Sequence, residues 1–238
     1  MQTDQINHSL SGSTHEGIAA PYDFEIMDVI KEAWQRTSGF KGAVLGAYAI
    51  SFICLSVIGF AGLLFLDVIP DVNPFVVQEL LSIIYDSLNF GITILSYPFF
   101  AGIMMMGIHR AVDAPVSYKM TFSYFSFTLR IILAVICMSV LIVLGFVLLV
   151  IPGIYLSIAY RFMVHLIIDK KMGVWDAMET SRKAVTQHWF KLFFTDVLII
   201  SIYVISAIPL GIGLIWTIPM HVAIQGILYR RIFGVESV

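Results

Sequence analysis

The chain has 238 residues, 59% hydrophobic and 13% charged, with a formal net charge of −2, where a soluble domain carries about 45–50% and about 25%. With a mean hydropathy of +0.90, a globular fold of this size would expose apolar patches that aggregate, and the charge provides no basic domain for nucleic acid. Apolar runs are continuous rather than alternating in segments of about ten residues, which excludes an outer-membrane barrel and indicates an all-α polytopic membrane protein.

Residues 1–21 are polar and have neither the charged start nor the apolar stretch of a secretory signal. They read as a disordered cytoplasmic tail, and its His8 and His15 are too loosely spaced for a metal site. Residues 22–238 then form a single membrane domain with six apolar stretches, at 42–66, 89–108, 131–150, 153–168, 192–209 and 212–228. Each is taken as a transmembrane helix, the first about 37 Å long and the fourth about 24 Å. Pro152-Gly153 and the stretch from Pro209 to Gly213 predict tight hairpins. Cys54 and Cys137 lie inside apolar runs and make neither a disulfide framework nor a zinc spacing.

The 14 Lys and Arg fix an orientation. All lie before the first stretch, between the second and third, in or between the fourth and fifth, or after the sixth, whereas 67–88 carries Asp67, Asp71, Glu79 and Asp86 with no basic residue. The positive-inside rule then places both termini in the cytoplasm.

Helical periodicity marks amphipathic segments before the spans. Ile26, Val29, Ile30, Ala33 and Trp34 share one face, as do Val174, Ala177, Met178, Val185 and His188 near Trp175 and Trp189. The middle connection is dense in aromatics, from Tyr118 to Phe127. Such segments lie in the membrane interface. The chain therefore reads as three units, about 22–113, 114–171 and 172–238, each an amphipathic element followed by a two-span hairpin. Residues 74–88 carry a further apolar stripe, either on the outer surface or extending the second span.

Tyr160-Arg161-Phe162, Asp169, Val174-Trp175-Asp176-Ala177, Ser181 and Trp189 form a block that resembles YciC-like bacterial inner-membrane proteins. The block is also similar to the membrane domain attached to some glycerophosphodiester phosphodiesterases. The resemblance implies a six-helix protein of the bacterial inner membrane; no phosphodiesterase catalytic domain accompanies it, so that activity is not implied.

Ionisable residues inside spans default to function. Arg161 and Asp196 lie at compatible depths for pairing, with His165 one turn beyond Arg161 and His221 facing the same half of the bundle. The pair reads first as a clamp between helices. Arg161 is also a candidate for binding an anionic lipid headgroup, since its planar fork suits phosphate, and Asp196 with the histidines for a proton relay. Arg182, Lys183, Trp175 and Trp189 complete the candidate binding set at the interface. Met104-Met105-Met106 with His109 invites copper, but adjacent residues point in different directions around a helix, so packing is expected. Gly42 and Gly46, with Ala43 and Ala47 beside them and Gly59 and Gly62 later in the same run, offer a small-residue spacing for close helix contact within the chain or between two copies. No nucleophile–base constellation or phosphate loop is present, and neither an enzyme nor a cofactor is expected. The expected partners are membrane lipids, a second copy or another membrane protein. The function expected is lipid or partner engagement contributing to envelope organisation, with a small transporter or channel for a lipid or metabolite as the alternative.

Overall fold

The computed structural model describes residues 22–66 and 74–236; the expected tail at 1–21 lies outside them. Among the described residues every regular element is helical, and the order is α1 (Ile26–Thr37), α2 (Lys41–Leu66), α3 (Pro74–Ala111), two short 3₁₀ turns (Tyr118–Phe122 and Phe125–Phe127), α4 (Thr128–Leu148), α5 (Val150–Ala159), α6 (Met163–Asp169), α7 (Val174–Gln187), α8 (Trp189–Ala207) and α9 (Leu214–Phe233). Five segments are long and apolar enough to cross a membrane: Lys41–Leu64, Leu81–Ala111, Tyr118–Leu148, Val150–Asp169 and Trp189–Ala207. The sixth expected span, now α9, is not among them. It carries His221, Gln225, Arg230 and Arg231, and it need not be uniformly apolar because most of its residues from Thr217 to Tyr229 are buried against protein rather than turned outward.

The centre of the bundle is the crossing of α3 and α9. A Cβ placed on Gly226 would stand 2.0 Å from the carbonyl oxygen of Gly107, and one on Gly107 would stand 2.2 Å from that of Val222. Only glycine lets the two backbones touch. The small-residue spacing in α2 does no such work: a Cβ on Gly42 meets nothing within 4 Å, and one on Gly46 only reaches ordinary contact with Tyr118. Met105 and Met106 are fully buried in the core around this crossing, which fits a packing role.

The stripe at 74–88 continues directly into the second span, giving α3 38 residues and about 57 Å. Leu88 and Ile92 of this helix pack against Gly62 and Gly59 of α2. The hairpin expected at Pro152-Gly153 turns slightly earlier, on extended Leu149 alone, which leaves Pro152 in the first turn of α5, where its missing N–H costs nothing. Gly145 and Gly153 bring α4 and α5 together there.

The amphipathic elements pack chiefly on hairpins other than those that follow them. α1 lies along α9, the 3₁₀ turns lie over α3, and α7 lies along α5 and α6. On α1 the buried face is Val29, Ala33 and Thr37, while Trp34 is turned outward. One carboxylate ties this helix to the end of the chain: Glu32 accepts hydrogen bonds from Arg36 at 2.9 Å, Arg230 at 2.8 Å and Arg231 at 2.9 Å. Arg110 donates to the carbonyls of Arg36 and Ser38, and Arg230 to that of Ala111, so guanidinium groups satisfy helix-end carbonyls left without intrahelical partners.

Candidate functional site

The fourth apolar stretch is not one helix. It breaks at Tyr160-Arg161-Phe162, between α5 and α6, with no proline or glycine at the break. The interruption is held from α7: the Ser181 hydroxyl, fully buried, donates to the Ala159 carbonyl at 2.7 Å and accepts from the Phe162 amide at 3.2 Å. One side chain thus serves a backbone carbonyl and a backbone amide at the break. Irregular backbone among membrane helices persists where protein satisfies it in this way.

Arg161 sits in the break and reaches α8. Its Nη1 and Nη2 donate to Asp196 Oδ2 and Oδ1 at 3.1 and 2.8 Å, a bidentate pair with side-chain exposures of 9% and 30%. The expected pairing is therefore present. The Arg161 guanidinium also lies 5.4 Å from the Phe162 ring centroid.

The two histidines do not join the pair by hydrogen bonding. His165 was expected one helical turn from Arg161 on a shared face, but the break intervenes, and the ring points into the core. It is fully buried and stacks on Tyr229 at 5.4 Å, and neither ring nitrogen has a hydrogen-bond partner among the described residues. His221 is engaged elsewhere, with Tyr203 at 3.1 Å and Gln225 at 2.9 Å. The Tyr229 hydroxyl donates to Asp169 Oδ2 at 2.7 Å, and the Glu236 amide donates to Oδ1 at 3.1 Å, which docks the chain's end on α6. Neither contact was legible in the sequence, since the partners are 60 and 67 residues apart.

Arg182 and Lys183 project from the exposed side of α7 but are not free cations. Both face Glu179, at 2.7 and 3.4 Å. Hydrogen bonds from Arg182 hold the Glu179 carboxyl down at about 2, so it stays ionised and the trio keeps one net positive charge. Trp175 is 68% exposed at the start of α7. Trp189, at the start of α8, donates its indole N–H to the Tyr155 carbonyl at 3.4 Å.

Tyr155 also meets Thr186, hydroxyl to hydroxyl at 2.7 Å. Between α5 and the α7–α8 junction lies a cleft of about 710 Å³, with Ile151, Pro152, Trp189 and Phe190 as apolar lining and His188 and Lys191 as polar lining. Lys191 is paired with Asp23. Among the described residues no group of three or more His, Cys, Asp or Glu is placed to hold a metal ion.

Compared with known proteins, the chain matches no family model, no curated protein and no solved structure.

Proposed function

We propose that this chain is a non-enzymatic protein of the bacterial inner membrane with six membrane-embedded segments, both termini cytoplasmic, that engages lipid headgroups through its cytoplasmic-face amphipathic helices and so contributes to envelope organisation. The observation that carries this reading is α7. Its apolar face is buried on the broken fourth segment, its opposite face exposes charge, and Trp175 is solvent-facing at one end while an apolar cleft with a lysine lies at the other. Trp and basic residues around an apolar surface are the chemistry of a headgroup boundary. The exchange of amphipathic elements between hairpins supports reading the chain as three repeats.

The test is mass spectrometry of the protein released gently from its own membrane. A stoichiometric lipid, weakened in Trp189→Ala together with Lys191→Ala, supports the reading; protein carrying only exchangeable bulk lipid opposes it. A second reading, a small transporter, draws on the broken helix and on Arg161 and His165 beside it, because discontinuous helices line transport sites. It requires water to reach Thr195→Cys and Ser201→Cys from both sides of the membrane, measured with an impermeant thiol reagent in a chain lacking Cys54 and Cys137.

A further inference from the structure

We infer that the α4–α5 hairpin does not cross the membrane but is immersed in the cytoplasmic leaflet, with lipid acyl chains as the partner of its bare apolar surface. The inference rests on α7 lying at the cytoplasmic interface, as proposed above. Asp176 and Lys183 are exposed on α7 and Glu179 and Arg182 partly so, a face whose charges are strongly disfavoured in hydrocarbon.

α5 and α6 run antiparallel beside that helix. Ser181 sits at the break between them, and five residues later Thr186 meets Tyr155. Trp189 holds the Tyr155 carbonyl from the start of α8. Tyr155 is therefore tied to the end of α7. The hairpin turn, Leu149, is only six residues further, about 9 Å of helix rise. The turn consequently lies one side-chain contact plus about 9 Å from the polar end of α7, well short of the roughly 30 Å needed to reach the far surface. Ile151, two residues from the turn, even shares a cleft with Lys191.

Composition agrees. Leu148, Leu149, Val150 and Ile151 are 75%, 69%, 62% and 79% exposed, so the turn would present four bare aliphatic side chains to water if it emerged outside. The Leu149 amide stays inside the hairpin, donating to the Gly145 carbonyl. The α8–α9 turn is apolar too, with Ile208 and Leu210 exposed, so composition alone does not separate the two hairpins; the ties of Tyr155 to Thr186 and Trp189 do. α4 is long enough to span but lies beside α5 for the length of that helix, and the whole α4–α5 pair inherits the depth of α7. Both termini remain on one side, because removing a hairpin removes two crossings.

The experiment places single cysteines at Leu149, Lys183 and Asp71 in a chain lacking Cys54 and Cys137. Labelling by a membrane-impermeant maleimide is then measured from each side in spheroplasts and inverted vesicles. The expected result is that Leu149→Cys is labelled at least ten-fold less than Lys183→Cys from the cytoplasmic side and at least ten-fold less than Asp71→Cys from outside, and that a spin label there collides with oxygen in preference to a polar nickel chelate. Labelling of Leu149→Cys from outside as strongly as Asp71→Cys overturns the inference while leaving the lipid-engaging role intact. Failure to label Lys183→Cys from the cytoplasmic side overturns the interfacial placement of α7, and with it both proposals.

Discussion

The α3–α9 crossing makes the sharpest demand on the sequence. In Gly226→Ala the new methyl would stand 2.0 Å from Gly107 O and 2.1 Å from Gly107 C, where a carbon rarely approaches a carbonyl oxygen closer than about 3.3 Å. The obstructing atoms on both sides are backbone, so no rotamer change relieves the contact, and the helices must separate by more than 1 Å, roughly. A gap of 0.5–1 Å already forfeits about a quarter to a half of each dispersion contact. Ile103, Met106, Ile108, Ile224 and Ile227 are all fully or almost fully buried on these two helices. Overpacking of this kind costs about 3 kcal/mol, the upper part of its usual range. The matched control is Gly91→Ala, in the same α3 but with nothing within 4 Å of the added Cβ; it should be neutral or stabilising by up to about 1 kcal/mol. Reversible unfolding in mixed detergent, followed by loss of helical circular dichroism, measures both. Equal stability of the two variants would refute the packing argument.

The remaining predictions concern polar contacts. Arg161→Gln should cost about 3 kcal/mol, the low end for breaking a buried pair because Asp196 is 30% exposed, and combining it with Asp196→Asn should recover at least about 1 kcal/mol of the summed losses; strict additivity in the unfolding assay would show that the two do not act as a clamp. Ser181→Ala leaves the Ala159 carbonyl and the Phe162 amide without their partner and should destabilise by about 1–3 kcal/mol, with the loss concentrated in hydrogen-exchange protection of residues 159–163; unchanged protection there would count against Ser181 as the keeper of the break. Burial alone raises the Glu32 carboxyl, but hydrogen bonds from Arg231, Arg36 and Arg230 outweigh it and hold the group below its ordinary 4.5. A depressed carboxyl contributes stability that is present above the ordinary value and lost as pH falls below it. The melting temperature should therefore drop below pH 4.5, and Glu32→Gln should flatten part of that fall; an identical pH dependence in the variant would refute the assignment.

Much of the architecture is legible because lipid imposes it: continuous apolar runs mark segments, and the placement of 14 basic residues suggests an orientation. The Arg161–Asp196 pair was also readable, from the rarity of charge inside such runs. The break beside it was not. Tyr160-Arg161-Phe162 contains no helix-breaking residue, and what stabilises the interruption is a hydroxyl some twenty positions downstream, so a continuous helix was the natural reading and His165 was placed on the wrong face. The glycine motif misled for a related reason. Gly42 and Gly46 lie at the end of α2 where no neighbour comes close, whereas Gly59 and Gly62 of the same helix meet α3, and Gly107 and Gly226 reveal themselves only when their two helices cross. α9 shows the same limit in reverse: the sequence expects a sixth span there, whereas the helix is mostly buried against protein and is not among the five segments long and apolar enough to cross a membrane.

The junction at Glu32 also orders events in time. Its partners Arg230 and Arg231 lie 198 and 199 residues further along the chain. At a synthesis rate of about 5–20 residues per second, α1 waits roughly 10–40 s before they exist. α7 waits for nothing, since α5 and α6 are made just before it. The nascent protein thus assembles its later half locally while the first helix, tied to the end of α3 through Arg36, Arg110 and Asp113, waits for α9 to cover its apolar face. Completion of α9 ends that interval, and a chain cut short before Arg230 leaves Glu32 without these two partners.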